Sequence, residues 1–229
     1  MRLSLALILM YLTFSSCASE IVRPEIYTVE MYDTISFHVR NLTILDIENV
    51  SGDIFITNTD TDSVRIKLTK YSSSQASEEK ASSYLPYISY GIDTIASNHL
   101  KFYSDAQRLN YDMLARIDWE IEVPDYVDII TNISSGNQDI SVKVPRDNDG
   151  FIMVNSVSGE IYLTIPKLSS TAVAAETIDG FILYENLDFT ALEQFDTGEG
   201  ERLIGILGNG KGAVTVNVTT GNIYIVGRH

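Results

Sequence analysis

The chain has 229 residues, of which 45% are hydrophobic and 21% are charged, and its formal net charge is −15 at pH 7. This acidic balance disfavours nucleic acid as a partner, because binding to nucleic acid depends on cationic contacts to phosphate. It also disfavours adsorption to anionic lipid headgroups. The single cysteine, Cys17, excludes a disulfide within the chain.

The first 16 residues have the composition of a targeting segment. Arg2 supplies a positive charge, and residues 3–12 form an apolar run of about ten residues, too short to span a bilayer. Small residues then surround Cys17, although Phe14 occupies the position of a usual leucine. The segment resembles the lipobox of bacterial lipoproteins, in which the cysteine is acylated and becomes the mature N-terminus. An ordinary secretory peptide cleaved nearby is the alternative.

The lipobox resemblance implies both an organisation and a location. Residues 1–16 are predicted to be a signal peptide, and residues 17–42 a lipid anchor, tether and N-terminal cap, with lipidation at Cys17. Residues 43–229 contain no linker rich in Pro or Gly and are predicted to form one β-repeat domain. The protein is expected in the bacterial cell envelope, lipid-anchored to a membrane, with the outer membrane favoured.

A short phrase recurs along the chain with variations. In every copy a glycine is followed two residues later by isoleucine, and four residues later by another large apolar residue. Because alternate side chains of a strand share a face, these positions are predicted to point into a core, after a turn in which glycine supplies a positive φ. The copies cover residues 48–56, 155–163, 176–184 and 217–225, with the glycines at Gly52, Gly159, Gly180 and Gly221.

The interval between turns predicts the architecture. Gly136, Gly159 and Gly180 recur at intervals of about 20 residues, and Gly221 follows after about two such intervals. A repeat of this length, holding two or three short strands, is typical of one rung of a β-solenoid. We therefore predict an all-β, β-helix-like stack of rungs. A β-sandwich, whose strands return at intervals of roughly 8–12 residues, is the alternative.

Residues 72–118 interrupt this pattern and are interpreted as an insertion that carries its own strands. The insertion opens with a polar stretch, residues 72–83, compatible with a loop or a short surface helix. The regular repeats are expected to resume at residues 117–124, where an alternating strand ends at a proline. The insertion is the best candidate for binding specificity because tyrosines recur in it. They are Tyr84, Tyr87, Tyr90, Tyr103 and Tyr111.

Most of residues 43–226 resemble the putative-adhesin β-strand-repeat domain of bacterial envelope proteins. The resemblance is carried by a strand that ends in proline, an alternating strand after it, and serial Ser-Gly-Asp/Glu-Ile turns. It implies a repetitive β fold, but it adds little about mechanism because the function of the family is largely uncharacterised. The motifs lie at residues 119–124, 127–133, 51–54 and 158–161. The turn at 135–140 departs from the pattern by two extra residues, and the turn at 179–182 lacks the acidic residue.

Motifs for chemistry are weak. Residues 205–212 nearly spell a phosphate-binding loop, but glycine replaces the required Ser or Thr and a strand pattern follows, which favours a glycine-rich hairpin turn. We predict no metal site and no cofactor. Two acidic turns are the weak calcium candidates. In the first, the carboxylates are spaced like the start of a calcium loop. In the second, the acidic residues lie within a turn. The two turns contain Asp60 and Asp62, and Asp147 and Asp149.

Two sets of side chains suggest different functions. A pair of carboxylates suggests catalysis, and a series of mostly aromatic residues suggests partner binding. Strand alternation places Glu120 and Glu122 on one side, where paired carboxylates could perform acid-base chemistry, but an outward polar edge is the favoured interpretation. The third residue after each aligned glycine is Phe55, Tyr162, Leu183 or Tyr224. These side chains are predicted to face outward and to align into a ladder, and exposed apolar patches mark partner surfaces.

The sequence thus predicts a non-enzymatic cell-envelope lipoprotein with a structural or adhesive role. Its predicted partners are a membrane, through the lipid anchor, and a protein or glycan ligand at the cell surface. The alternatives are a periplasmic-facing accessory or sensor protein for a membrane partner and, third, a polysaccharide-active enzyme. The candidate binding surface consists of Phe55, Tyr162, Tyr224, Tyr84, Tyr87, Tyr90 and Tyr103.

Overall fold

The computed structural model describes residues 26–38, 44–106, 113–142 and 150–228. The predicted signal peptide, the lipidation site Cys17, Tyr111 and the acidic turn with Asp147 and Asp149 lie outside the described residues. Strands account for 71% of these described residues and helix for 4%, which confirms the prediction of an all-β fold. Among the described residues, no helix is long and apolar enough to cross a bilayer.

The strands form two sheets. The eight-stranded sheet has the spatial order β1 (Tyr27–His38), β4 (Ser63–Ser74), β7 (Met113–Pro124), β3 (Ile54–Thr59), β9 (Gln138–Ser141), β11 (Ile161–Pro166), β17 (Ile223–Arg228) and β13 (Ile182–Glu185). The nine-stranded sheet has the order β14 (Phe189–Asp196), β15 (Glu201–Leu207), β12 (Thr171–Asp179), β16 (Gly212–Thr220), β10 (Phe151–Ser158), β8 (Asp128–Ile133), β2 (Ile44–Asn49), β6 (His99–Ala106) and β5 (Ile88–Ala96).

The repeating unit is a rung of two strands, one in each sheet. Strand β10, for example, lies in the nine-stranded sheet, turns at Gly159, and continues as β11 in the eight-stranded sheet. Equivalent strands of neighbouring rungs pair in parallel and in register, so that Ile161 of β11 lies beside Ile223 of β17. The described strands form six such rungs: β2–β3, β6–β7, β8–β9, β10–β11, β12–β13 and β16–β17.

The order of the rungs in the stack departs from the predicted solenoid. A solenoid places rungs in chain order, whereas here the β16–β17 rung lies between β10–β11 and β12–β13. The β2–β3 rung likewise lies between β6–β7 and β8–β9. The predicted interval of about 20 residues measures the length of one rung, but it does not specify beside which neighbour the rung docks. The result is two mixed sheets over one core, with antiparallel pairs confined to their ends.

The core lies between the two sheets. In the central strands alternate residues point inward, as in β8, where Ile129, Thr131 and Ile133 are buried. Because a fully buried Ile contributes roughly 1.5–3 kcal/mol relative to an exposed one, these alternating positions hold the sheets together. The aromatic centre of the core is Trp119, whose ring packs edge-on against Phe102 at a centroid distance of 6.3 Å.

The structure divides the predicted insertion into a regular and an irregular part. Strands β6 and β7 form a regular rung that pairs in parallel with β2 and β3, so that repeats resume before residue 117. The irregular part contains the end of β4, a short helix α1 (Glu78–Ser82) and the antiparallel strand β5. Helix α1 begins where the Ser77 hydroxyl accepts the N–H of Lys80 at 3.1 Å, a typical N-cap.

Candidate binding surfaces

The turns of successive rungs form a glycine column, made of Gly52, Gly136, Gly159, Gly221 and Gly180. All five have positive φ, between 118° and 150°, as predicted for the aligned glycines. Each glycine also packs directly on the backbone of the next rung: a Cβ on Gly159 would lie 1.9 Å from the carbonyl oxygen of Gly136. The column therefore needs glycine for two reasons, backbone conformation and close approach.

The residue after each glycine links neighbouring turns. An Asp53 carboxylate oxygen accepts the N–H of Asn137 at 2.8 Å, and the Asn137 amide oxygen accepts the N–H of Glu160 at 2.9 Å. At the other end of this ladder, Asp118 accepts the N–H of Asp53 at 2.9 Å, and burial raises the pKa of the Asp118 carboxyl. Short polar side chains after the glycine thus satisfy backbone donors. The Ser-Gly-Asp/Glu phrase is explained by structure alone.

The predicted ladder of outward side chains exists on the eight-stranded sheet. Phe55, Tyr162, Tyr224 and Leu183 occupy one row across parallel strands, with Asp139 between the first two, and we call this set the aromatic row. Phe55 and Tyr162 are each 42% exposed. They face outward because the flanking residues of each strand, two and four positions after glycine, fill the core.

The aromatic row has internal order. The rings of Tyr162 and Tyr224 stack at a centroid distance of 4.7 Å and an interplanar angle of 5°. The ring of Phe181 contacts Tyr224 edge-on at 5.8 Å. These contacts fix the orientation of the exposed rings before any ligand arrives, which reduces the entropy lost on binding.

Ion pairs border the aromatic row. Lys67 of β4 pairs with Glu120 at 2.8 Å, and Arg65 pairs with Glu122 at 2.8 Å. Together with Phe55 these side chains line a shallow cavity of about 460 Å³. The two glutamates lie on the same side of β7, as alternation predicts, and each has a basic partner. They form the outward polar edge that was the favoured interpretation of the sequence.

The tyrosines of the insertion do not form one surface. Tyr84 is only 7% exposed and belongs to the core, contrary to its prediction as a binding residue, because α1 returns the chain against β4. Tyr87 is exposed. Tyr90 packs edge-on against Trp119 at 6.2 Å, and its hydrogen bond to the Asp33 carboxylate raises its pKa to about 12.

Tyr103 lies on the opposite face of the nine-stranded sheet from Tyr90. The two residues are on paired strands, where Tyr103 is opposite Gly91 and Tyr90 is opposite Ser104. The Tyr103 ring covers Gly91 so closely that a Cβ there would lie 2.2 Å from the ring carbon Cζ. An aromatic ring over a glycine of a neighbouring strand shields its backbone.

Among the described residues, the predicted chemical motifs do not come together in one site. Asp60 and Asp62 are exposed in the turn between β3 and β4. Burial, followed by the nearby Asp62 carboxylate, raises the pKa of Tyr126. Within the described ranges, no group of three or more His, Cys, Asp or Glu could hold a metal ion. Residues 205–212 connect β15 to β16, and because β12 lies between these strands the turn is not the predicted hairpin.

One feature of the outer surface was not predicted. On the nine-stranded sheet, Asn132, Asn155 and Asn217 occupy one row, the amide row, with Glu48 and Glu176 at its two ends. The signal was present in the repeated phrase, whose four copies begin with Glu48, Asn155, Glu176 and Asn217. The glycine and isoleucine positions are the most regular part of the phrase, and the polar first position alternates between Glu and Asn, so it stands out less in the sequence.

These features define a repetitive, two-sheet β domain with ordered side-chain rows on both outer faces. The chain belongs to the Toastrack DUF4097 family, whose model matches residues 33–226. The resemblance to putative-adhesin repeat domains is thereby confirmed.

The solved structures of three bacterial proteins are similar to this chain. A putative cell adhesion protein from Clostridium sporogenes is 15% identical, with 87% of this chain and 100% of that chain covered and a TM-score of 0.47. A putative adhesin from Bacteroides fragilis is 13% identical, with 85% and 97% covered and a TM-score of 0.27. A putative adhesin from Parabacteroides merdae is 12% identical, with 85% and 80% covered and a TM-score of 0.25. No curated protein matches the chain.

Proposed function

We propose that this protein is a non-enzymatic adhesive domain of the bacterial cell envelope that binds a protein ligand through the outer face of its eight-stranded sheet. The observation that carries the proposal is the aromatic row: Phe55, Tyr162, Tyr224 and Leu183 stand in register on that face and remain partly exposed. Exposed, ordered aromatic side chains mark partner surfaces.

The arrangement of the rings favours a protein over a sugar as the ligand of this face. Tyr162 and Tyr224 stack on one another, so each ring already has one face covered, and Phe181 adds an edge-on contact. A pyranose needs a free ring face to stack on, whereas protein interfaces use tyrosine edges and hydroxyl groups equally well. Tyrosine is also enriched in the buried centres of protein interfaces.

The bordering charges suit the rim of such an interface. The pairs Lys67–Glu120 and Arg65–Glu122 are half exposed and lie beside Phe55. Rim charges of this kind steer a partner and fix its register while they add little affinity. In this proposal the acylated Cys17 tethers the domain to the outer membrane, and the sheet face points away from the cell.

The test uses beads that carry the full chain and measures how many intact bacterial cells they bind. The variant replaces Phe55, Tyr162 and Tyr224 with Ser. The matched control replaces Ile204 and Ile206 with Ser, because these side chains have similar exposure, 40% and 39%, on the other sheet.

We expect protease treatment of the target cells to remove most of the binding, and the triple variant to lose the protease-sensitive part by about tenfold or more. The control should bind like the wild type. A folded triple variant that keeps its protease-sensitive binding would overturn the proposal. Proteolysis of intact cells that leaves the domain uncut would instead support a periplasm-facing accessory or sensor protein.

A further inference from the structure

The outer face of the nine-stranded sheet carries a second groove, and we propose that it binds a linear, neutral glycan. The groove measures about 560 Å³ and runs across the strands, perpendicular to the chain direction of each rung. The amide row forms its floor. The site is independent of the aromatic row, because the two lie on opposite outer faces of the molecule.

The floor presents amides that are held in place and only partly satisfied. Asn217 donates an amide N–H to the Asn155 oxygen at 2.9 Å, and Asn155 donates one to the Asn132 oxygen at 3.0 Å. Each amide has two N–H groups and an oxygen with two lone pairs, so each retains donor and acceptor capacity for a ligand. Sugar hydroxyl groups both donate and accept, which is the complement of such a row.

The side of the groove is amphipathic. The residues two positions after the floor residues form it, and along the stack hydroxyl groups alternate with apolar side chains: Ser134, Val157, Thr219 and Ile178. Val157 is 56% exposed and Ile178 is 60% exposed. A pyranose has hydroxyl groups at its edge and C–H groups on its faces, so it can satisfy the amide floor and cover these apolar side chains together.

The spacing of the row matches a polymer. Neighbouring strands are about 4.8 Å apart, which is close to the length of one pyranose unit, so successive sugars can meet equivalent side chains on successive rungs. From Glu48 to Glu176 the row crosses five strands and spans about 19 Å. Beyond Glu48 the row continues to Tyr103, whose ring lies on Gly91.

The net charge of the protein selects against acidic glycans. Carboxylates stand at both ends of the floor, and each has a basic neighbour: Glu48 pairs with Lys101, and Glu176 lies opposite the exposed Arg202 of β15. The whole chain carries a formal charge of −15. Uronic acid polymers would meet this negative field, whereas the hydroxyl groups of a neutral chain can donate hydrogen bonds to the same carboxylates.

The experiment titrates the full chain with chitotetraose, cellotetraose and tetragalacturonate by isothermal calorimetry. We expect both neutral tetramers to bind, more tightly than the corresponding dimers, and the anionic tetramer to bind at least tenfold more weakly. Binding that is strongest for the anionic tetramer, or no heat from any neutral oligosaccharide at millimolar concentration, would overturn the proposal.

Two floor variants locate the site. Asn217→Ala removes an exposed amide, and Asn155→Leu replaces the central amide with a side chain of similar size. Each is expected to weaken chitotetraose binding by about tenfold, because hydrogen bonds to the ligand are lost. Leu168→Ser, in the turn after β11 and 92% exposed, is the control and should leave the affinity unchanged. Asn217→Ala keeps the test decisive if Asn155→Leu does not fold, and a folded Asn217→Ala with wild-type affinity would refute the assignment.

Discussion

The glycine turns and the outer sheet faces lie only three residues apart in each rung, but they differ in how tightly the structure constrains them. Gly159 has its Cα against the carbonyl of Gly136, so a single added carbon has no space. Tyr162, three residues later, projects outward and is 42% exposed. The comparison shows that the turns set the shape of the stack, while the outer faces can vary in chemistry from rung to rung.

The largest expected effect is at the turn. Gly159→Ala combines a φ of 134° with a Cβ placed 1.9 Å from the Gly136 oxygen, so we expect a loss of about 3 kcal/mol or more in the free energy of unfolding, measured with urea. Gly198 is the matched control: its φ is 103°, but a Cβ there meets nothing within 4 Å. Gly198→Ala should cost only about 1–2 kcal/mol. Equal losses would show that backbone conformation, not packing in the column, explains the glycine.

The next effect tests the polar ladder beside the column. Asn137→Ala removes the oxygen that accepts the N–H of Glu160 at 2.9 Å, and we expect a loss of about 1 kcal/mol in the same urea measurement. Asp139→Ala, two residues later in β9 and pointing outward, is the control and should change stability by less than about 0.5 kcal/mol. If the hydrogen bonds of the ladder do not stabilise the fold, the two variants will have the same free energy of unfolding.

A smaller effect is expected on the aromatic row. Tyr162→Ser removes the stacked ring and should lower the free energy of unfolding by about 1 kcal/mol or less, because the side chain is partly exposed and an aromatic pair adds about 0.5–1.5 kcal/mol beyond its contact area. Thermal denaturation compares it with the Gly159 variant. A loss above about 2 kcal/mol would contradict the distinction between shape and surface, because that value is typical of core truncations.

The smallest effect is expected at the border of the row. Lys67→Ala breaks the pair with Glu120, whose two side chains are 47% and 56% exposed, so stability should change by less than about 0.5 kcal/mol. The measured difference should shrink further in 1 M salt, where exposed charges are screened. A larger loss of stability that does not depend on salt would show that this pair, like the glycine turns, is tightly constrained by the fold.

Features governed by local geometry were predictable from the sequence. The positive φ of Gly52 and Gly159, the buried Ile54 and Ile161, and the outward Phe55 all follow from a turn and a two-residue period. They depend on neighbours within a few residues along the chain, and such patterns are visible in a single sequence.

Features governed by long-range docking were not predictable. Nothing near Ile223 indicates that its strand pairs with both β11 and β13, and the stacking order is therefore hidden. Tyr84 was predicted to be a binding residue because it lies in the tyrosine-rich insertion, yet α1 brings it into the core. The amide row depends on the same parallel register, since three asparagines become neighbours only after the rungs align.

The interleaved order of the rungs constrains the time course of folding. Strands β12 and β13 dock on β16 and β17, which lie later in the chain, and their earlier neighbours β10 and β11 dock on the same pair from the other side. A nascent chain that ends before Gly212 therefore has a gap in its stack, where four strands, β10, β11, β12 and β13, lack a partner. Such unpaired strand edges are aggregation templates, and pairings of high contact order close slowly. Because residues 212–228 follow both of their neighbouring rungs in the chain, they are synthesised last of the three and have to pair with strands that already exist on either side.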